Sequence, residues 1–448
     1  GTMVSGLIAS VGWNAKGGRG VAPSASLKGF NLIGNGVETT ANMVAGHGGA
    51  SYAQDVDIFN QSYGTSATSA YKINTTIEQQ FITAAANLRD GKGAIFVKSA
   101  GNAYDKVWYA PAERYITCET LWGVSAFTCS HPNIDPDNTL PYNIVVGALQ
   151  ATGIKSSYSS AGSNLWVSAP GGEYGSTHPA IMTTDDSGCS RGAVRSGYTT
   201  GVNAFNNQGN HSENSSCNYH SQMNGTSSAA PILSGAIALI LEANPALTWR
   251  DVKHILATTS TQVDASKASI YININSVAYH GVPAWTTNDA GHKFHDWYGF
   301  GRVNVGAAIT AALSYTAGSL GTLNITSFSD NASGTLNTTI TDRNATGITN
   351  TIAVSESEII EAVQITVDIT HDFIGDVGIE LVSPAGTRSV LLTPYNWLFG
   401  ADNLTDIVLT SNAFYGEETD GNWTIRVLDG SAGITGVLKD WSIRFYEH

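Results

Sequence analysis

Over the first two-thirds of the chain, short apolar runs alternate with longer stretches of helical character. The runs are "ASLKGFNLI" (25–33), "VDIFNQSYG" (56–64), "GAIFVKSAGN" (93–102), "YNIVVGAL" (142–149) and "LWVSAPGG" (165–172), and all carry β-branched or aromatic residues. Apolar runs of this kind, without strict alternation, predict strands buried on both faces of a parallel sheet. Between them, "TTIEQQFITAAANLRD" (75–90) reads as a helix, which gives the βαβ rhythm of an α/β domain. A second helix is expected over 228–243, with Pro231 in its first turn, where a missing N–H costs nothing. The stretch 314–350 is rich in Ser, Thr, Asn and Gly and reads as a linker passing into an exposed first strand. Beyond it the pattern changes. "EAVQITVDIT", "VGIELVSP", "RSVLLTPY", "NWTIRVLD" and "DWSIRFY" alternate apolar and polar residues, with the turns "PAGT" and "DGSAG" between them. That pattern predicts an antiparallel β-sandwich. The expected division is therefore 1–315, an α/β domain; 316–345, linker and first strand; and 346–448, an all-β sandwich.

A chain of 448 residues accommodates two or three domains. Charged residues make up only 13%, and many polar positions are Asn, Ser, Thr or Gly, a mix that suits a β-rich extracellular protein. The formal net charge of −14 disfavours nucleic acid as a partner and suits cationic substrates or calcium. The four cysteines include no CxxC pair, which argues against a zinc site. Cys118–Cys129 with Cys189–Cys217 is the simplest disulfide pairing, although four cysteines allow three connectivities. No apolar run looks long enough to span a membrane, and "AAPILSGAIALILEA" (229–243) reads as a buried helix.

The chemistry centres on "QMNGTSSAAP" (222–231), which sets Ser227 at the head of that helix. A helix start offers free N–H groups and partial positive charge, suited to a developing oxyanion. The alternative is that Ser227 only caps the helix. The stretch resembles the G-T-S-x-A-x-P nucleophile motif of subtilisin-like serine proteases. "LEANPALTWRDVKHILATTS" (241–260) and "HDWYGFGRVNVGAA" (295–308) resemble the kexin and furin branch of that family. The resemblance implies a subtilisin-like parallel sheet with flanking helices, Ser227 as nucleophile, and Asn102 of "VKSAGN" as side-chain donor to the oxyanion. It also implies that Ser62, Tyr63 and Gly64 of "NQSYG" pair with an extended substrate by β-augmentation, with Tyr63 where the branch usually has tryptophan. "SAPGG" (168–172) matches a further loop of the family.

His47, between glycines in "AGHGGA", falls outside the family's histidine motif and is read as a decoy. The opening residues resemble the family's H-G-T-x-V-A-G helix and its G-x-x-G-V-A-P continuation, with Gly1 and Thr2 as the two residues after the catalytic histidine. On that match the histidine immediately precedes Gly1, the aspartate lies further upstream, and the chain is truncated at its amino terminus and close to inactive alone. The same match makes the backbone carbonyls of Val11, Lys16 and Gly18 and the side chain of Asn14 ligands of a structural calcium site, whose carboxylates would lie upstream. Asp135 matches an acid of the S1 pocket for cleavage after Arg or Lys, with Asp137 as the alternative; a turn residue beside proline is the other reading of either.

"VDITHDFIGDVGIELVSPAGTRSVLL" and "FYGEETDGNWTIRVLDGSAGITGVLKDWSIRFY" resemble the P domain (homo B) of proprotein convertases, a jelly-roll-like sandwich. Together these resemblances imply a secreted, calcium-dependent serine endopeptidase acting on polypeptides, with a propeptide or chaperone as a possible partner. The rival reading is a non-catalytic binding or adhesion protein on a protease scaffold.

Overall fold

The computed structural model describes residues 1–34, 36–65, 68–197, 203–330, 336–400 and 402–448. Four of the five apolar runs form a parallel sheet, β1 (Ile58–Gln61), β2 (Ile95–Ser99), β3 (Asn143–Leu149) and β4 (Val167–Pro170), paired in that order. Every residue of β2 and β3 is buried, as runs without polar alternation require.

The fifth run, 25–33, forms no strand. A strand needs a hydrogen-bonded neighbour, and among the described residues β1 pairs with β2 alone. Residues 25–33 instead line, together with 55–60, a cavity of about 760 Å3, and Lys28 turns outward to Asp55. Apolar composition is common to the five runs; a paired edge is not.

The main helices are α1 (Thr2–Ala9), α2 (Thr75–Asn87), α3 (Thr226–Ala243), α4 (Trp249–Thr259) and α5 (Val305–Ser314). The Asn74 side chain caps α2, accepting from the N–H groups of Thr76 and Ile77. A reciprocal capping box joins Thr248 and Asp251 at α4. At 18 residues α3 is long and apolar enough, by length and composition, to cross a membrane, more than its sequence was expected to allow. Its burial explains that composition: Ala229, Leu233, Ala236, Ile237 and Ile240 are fully enclosed in the α/β core.

The carboxy-terminal part is a sandwich of two antiparallel sheets. Its strands are β5 (Asn344–Val354), β6 (Ile360–Thr370), β7 (Val377–Val382), β8 (Arg388–Leu392), β9 (Asn403–Ser411), β10 (Gly421–Asp429) and β11 (Gly436–Glu447). One sheet runs β9–β6–β11, and the short strands Asn324–Ile325, Ser329–Asp330 and Thr338–Ile340 add along β11. The other runs β5–β10–β7–β8. Inward-facing residues such as Val363, Ile365, Val367, Ile425 and Trp423 fill the space between them. The disulfides are Cys118–Cys129 and Cys189–Cys217, the simplest of the three pairings.

The two parts share packing. Ala362, Ala413, Tyr415 and Tyr446 of the sandwich belong to the same hydrophobic cluster as α3, α4 and the parallel sheet. Arg250 of α4 forms a buried ion pair with Glu361 of β6, and His448 Nδ1 bonds Glu361 at 2.8 Å. Removing one partner of a buried pair strands the other charge. Glu361→Ala is therefore expected to lower unfolding free energy by about 3 kcal/mol, read from guanidinium unfolding followed by tryptophan fluorescence.

Candidate active site

Helix α3 opens at Thr226 with Gly225 as its N-cap, at φ +110°, a conformation reserved for glycine. Ser227 is thus the second residue of the helix and does not cap it. Gly225 N–H donates to the Tyr158 hydroxyl at 2.7 Å, and that hydroxyl is also bonded to the carbonyls of Gly171 and Gly172, in the "SAPGG" loop.

Pro231 lies at the sixth helical position, not in the first turn, because α3 begins two residues earlier than its composition suggested. A residue there would normally donate its N–H to the carbonyl of Ser227, four positions back, and proline has no N–H to give. The carbonyl is satisfied from outside the helix: Ser62 Oγ donates to it at 3.0 Å. In return Ser227 Oγ points at the Ser62 carbonyl, at a long 3.5 Å. Asn60 Nδ2 donates to Ser62 Oγ at 2.9 Å and Ser234 Oγ donates to Asn60 Oδ1 at 3.1 Å, so α3 and the end of β1 are laced together.

Asn102 follows β2. Its Oδ1 accepts from Thr226 N at 2.8 Å and from Thr226 Oγ1 at 3.0 Å, while Gly101 N donates to Thr226 Oγ1 at 3.1 Å. With its oxygen committed, the carboxamide must turn its NH2 away from the helix, and among the described residues no atom accepts from it. Asn102 and Ser227 line one cavity of about 280 Å3.

Tyr63, Gly64 and Asp135 line the same cavity, while Ser62 sits behind Ser227. Tyr63 is half-buried; its hydroxyl bonds His47 Nε2 at 2.9 Å, and burial raises its pKa well above the usual 10. Its carbonyl accepts from Lys98 Nζ at 2.6 Å. Asp135 is not free. Oδ2 accepts from Lys98 Nζ at 3.1 Å and from Thr65 N at 3.2 Å, and Oδ1 accepts from Asp137 N at 3.2 Å. Asp137 does not line the cavity; burial, and after it the charge of Asp135, push its pKa up to about 6.

Two residues of this site were missed in the sequence. Lys98 lies inside a strand run whose motif pointed to Asn102 alone, and His131 carries no motif. His131 lines the cavity, but burial lowers its pKa to about 3 and its Nδ1 accepts from Asn133 N at 3.2 Å. It is a poor base. His47 is buried 2.7 Å from the Met43 carbonyl, and burial brings its pKa down to about 4. It braces Tyr63, in line with its reading as a decoy.

The expected calcium ligands do not by themselves fit the ion. Val11, Asn14, Lys16 and Gly18 supply one side-chain oxygen and no carboxylate, whereas calcium takes six to eight oxygens. Asn14 Oδ1 already accepts from Lys16 N at 3.0 Å, and the Gly18 carbonyl from Ser10 Oγ at 3.1 Å. No group of three or more His, Cys, Asp or Glu poised to hold a metal occurs among the described residues.

Comparison with known proteins gives two family matches: Peptidase_S8, the subtilase family, over residues 1–301, and the proprotein convertase P-domain over residues 360–445. The Aeromonas extracellular serine protease of Aeromonas sobria is 36% identical over 459 aligned positions, covering 97% of this chain and 71% of that protein. A microbial serine proteinase of Aeromonas salmonicida is 32% identical, covering 95% of this chain and 70% of its own length. The crystal structure of the Aeromonas sobria serine protease with its chaperone superposes with a TM-score of 0.87 at 31% identity, over 100% of this chain and 80% of that one.

Ser62→Ala removes the hydroxyl that donates to the Ser227 carbonyl and should cost about 1–3 kcal/mol, measured as a shift in urea midpoint. The raised pKa of Asp137 means the native state holds its proton more tightly than the unfolded chain does. Its contribution therefore falls as pH rises from about 4 to about 6. Asp137→Asn should flatten that part of the stability–pH profile, checked by urea unfolding at pH 4, 5, 6 and 7.

Proposed function

The chain belongs to the subtilase family of serine endopeptidases, and from that premise we propose that Ser227 is its nucleophile and Asn102 its side-chain oxyanion donor. The observation that carries the reading is the fixed Asn102 carboxamide: Thr226 holds its oxygen, which leaves its NH2 on the cavity that Ser227 lines. Ser227 Oγ attacks the peptide carbonyl and yields its proton to a base. The carbonyl oxygen takes the electron pair and is held by Asn102 Nδ2 and the N–H of Ser227, one of the unpaired donors of the first helical turn. Collapse expels the amine, which takes a proton, and water then releases the acyl group.

The base is the open member. Among the described residues no histidine bonds Ser227.

Cleavage after Arg or Lys would draw on Asp135, the one carboxylate on the cavity among the described residues, with a preference kept modest by its pairing to Lys98. Ser62, Tyr63 and Gly64 would offer backbone to an extended substrate. Structural calcium would need ligands beyond Val11, Asn14, Lys16 and Gly18. The two disulfides favour a secreted protein, and a chaperone partner is suggested by the Aeromonas sobria complex. Two main hydrophobic clusters, one centred on the parallel sheet and one between the sheets of the sandwich, support units at 1–315 and 346–448 joined through 316–345.

A fluorophosphonate probe should label the folded protein at Ser227, and not the Ser227→Ala variant. Asn102→Ala should lower kcat about 10²–10³-fold, a range taken over from subtilisin, a member of this family. No labelling of the folded protein would favour a binding protein on a protease scaffold.

A further inference from the structure

We propose that Lys98 sets the side-chain preference of the cavity beside Ser227, by pairing with Asp135 from behind and so weakening the cavity's hold on basic groups. The proposal rests on the reading of this cavity as the one that receives the substrate side chain.

Among the described residues Asp135 is the single carboxylate lining the cavity, and its acceptor capacity is largely spoken for by Lys98, Thr65 and Asp137. Lys98 is fully buried in β2 and does not itself line the cavity. Its ammonium is therefore an internal cation, anchored at 2.6 Å on the Tyr63 carbonyl and 3.1 Å from the carboxylate. An entering guanidinium or ammonium meets an acid whose charge is already opposed at contact distance. It must share Asp135 with Lys98 or displace it, and a buried lysine has no water to move into. A further cation, Lys106, lines the cavity, so the wall carries no surplus negative charge. Val107, Trp108, Tyr115 and Pro132 give the rest an apolar and aromatic surface that holds an uncharged side chain equally well. The packing leaves the pair no slack: a Cβ on Gly64 would fall 2.6 Å from Asp135 Oδ2 and 2.9 Å from Lys98 Nζ. Specificity is a difference of affinities, and an internal countercharge subtracts from one side of it alone.

The test needs no catalysis. Benzamidine, a cation, and benzamide, its uncharged isostere, are titrated into residues 1–448 by calorimetry, with wild type and Lys98→Met compared and folding checked by circular dichroism. In wild type benzamidine should bind less than tenfold more tightly than benzamide. In Lys98→Met that ratio should rise at least tenfold, and Lys98→Met/Asp135→Asn should return it to the wild-type value. A smaller rise, or a gain that survives loss of Asp135, overturns the proposal. If Lys98→Met does not fold, the wild-type ratio decides: above ten overturns, below ten supports. Binding of neither probe to any folded variant sinks the reading of the cavity itself, whereas binding of both with an unchanged ratio sinks only the role of Lys98.

Discussion

The first two turns of α3 are not self-sufficient, and the site depends on how that deficit is met. Proline at 231 removes the N–H that would close the helix onto Ser227, and glycine at 225 removes the side chain that would cap it. The missing bonds come from the sheet: Ser62 at the end of β1 supplies the donor for the Ser227 carbonyl, and Asn102 after β2 supplies the acceptor for Thr226 N–H. A helix with an ordinary cap and no proline would need neither. The defect therefore couples the serine to the two strand ends on which a substrate would rest, and it fixes the Asn102 amide by exhausting its oxygen. Local helix stability is traded for position, a common arrangement where a side chain must be held for chemistry.

Charge in the neighbouring cavity follows the same economy of partners. Lys98 sits where a strand residue should be apolar, and burial of its ammonium is tolerated because a carbonyl and a carboxylate meet it. Asp135 in turn needs a cation, since it is itself enclosed. Asp137, two residues on, forms no ion pair among the described residues, and its burial, then the charge of Asp135, raise its pKa to about 6 against a lowering by Lys98.

Much of this was legible in the residues. Continuous apolar runs marked β1 to β4 because both faces of the sheet are covered, and alternation marked the sandwich because its strands have distinct inner and outer faces. Ser227 and Asn102 were readable as a pair only through motif order; neither "SAGN" nor a helix-head serine says where the other lies. The run 25–33 was misread because composition reports apolarity and not whether an edge is paired. Pro231 was misplaced because a glycine N-cap leaves no side-chain signature of where the helix begins. The motif speaks to the backbone of Tyr63 and not to its ring, whose hydroxyl is bonded to His47, sixteen residues earlier. Lys98 escaped because its partner, Asp135, lies 37 residues away in a different segment.

The sandwich bears on this site more directly than as a stabilising neighbour. The cavity wall from His131 to Asp135 belongs to a segment with little regular structure, two short helical turns at Pro132–Ile134 and Pro136–Thr139. Such a segment does not hold its shape by its own backbone bonds. Its fixed points come from the sandwich: Asn133 Nδ2 donates to the carbonyls of Leu391 and Thr410, and Thr410 N donates back to Asn133 Oδ1. The Thr139 carbonyl accepts from Gln364 Nε2 and Thr410 Oγ1, both at 2.6 Å. These bonds are buried, so water does not replace them when they break, and each lost partner leaves an unsatisfied group. Strands β6, β8 and β9 therefore act as a template for the loop that carries Asp135. Loosening them would be felt first as a displaced carboxylate behind the cavity, before either hydrophobic core came apart.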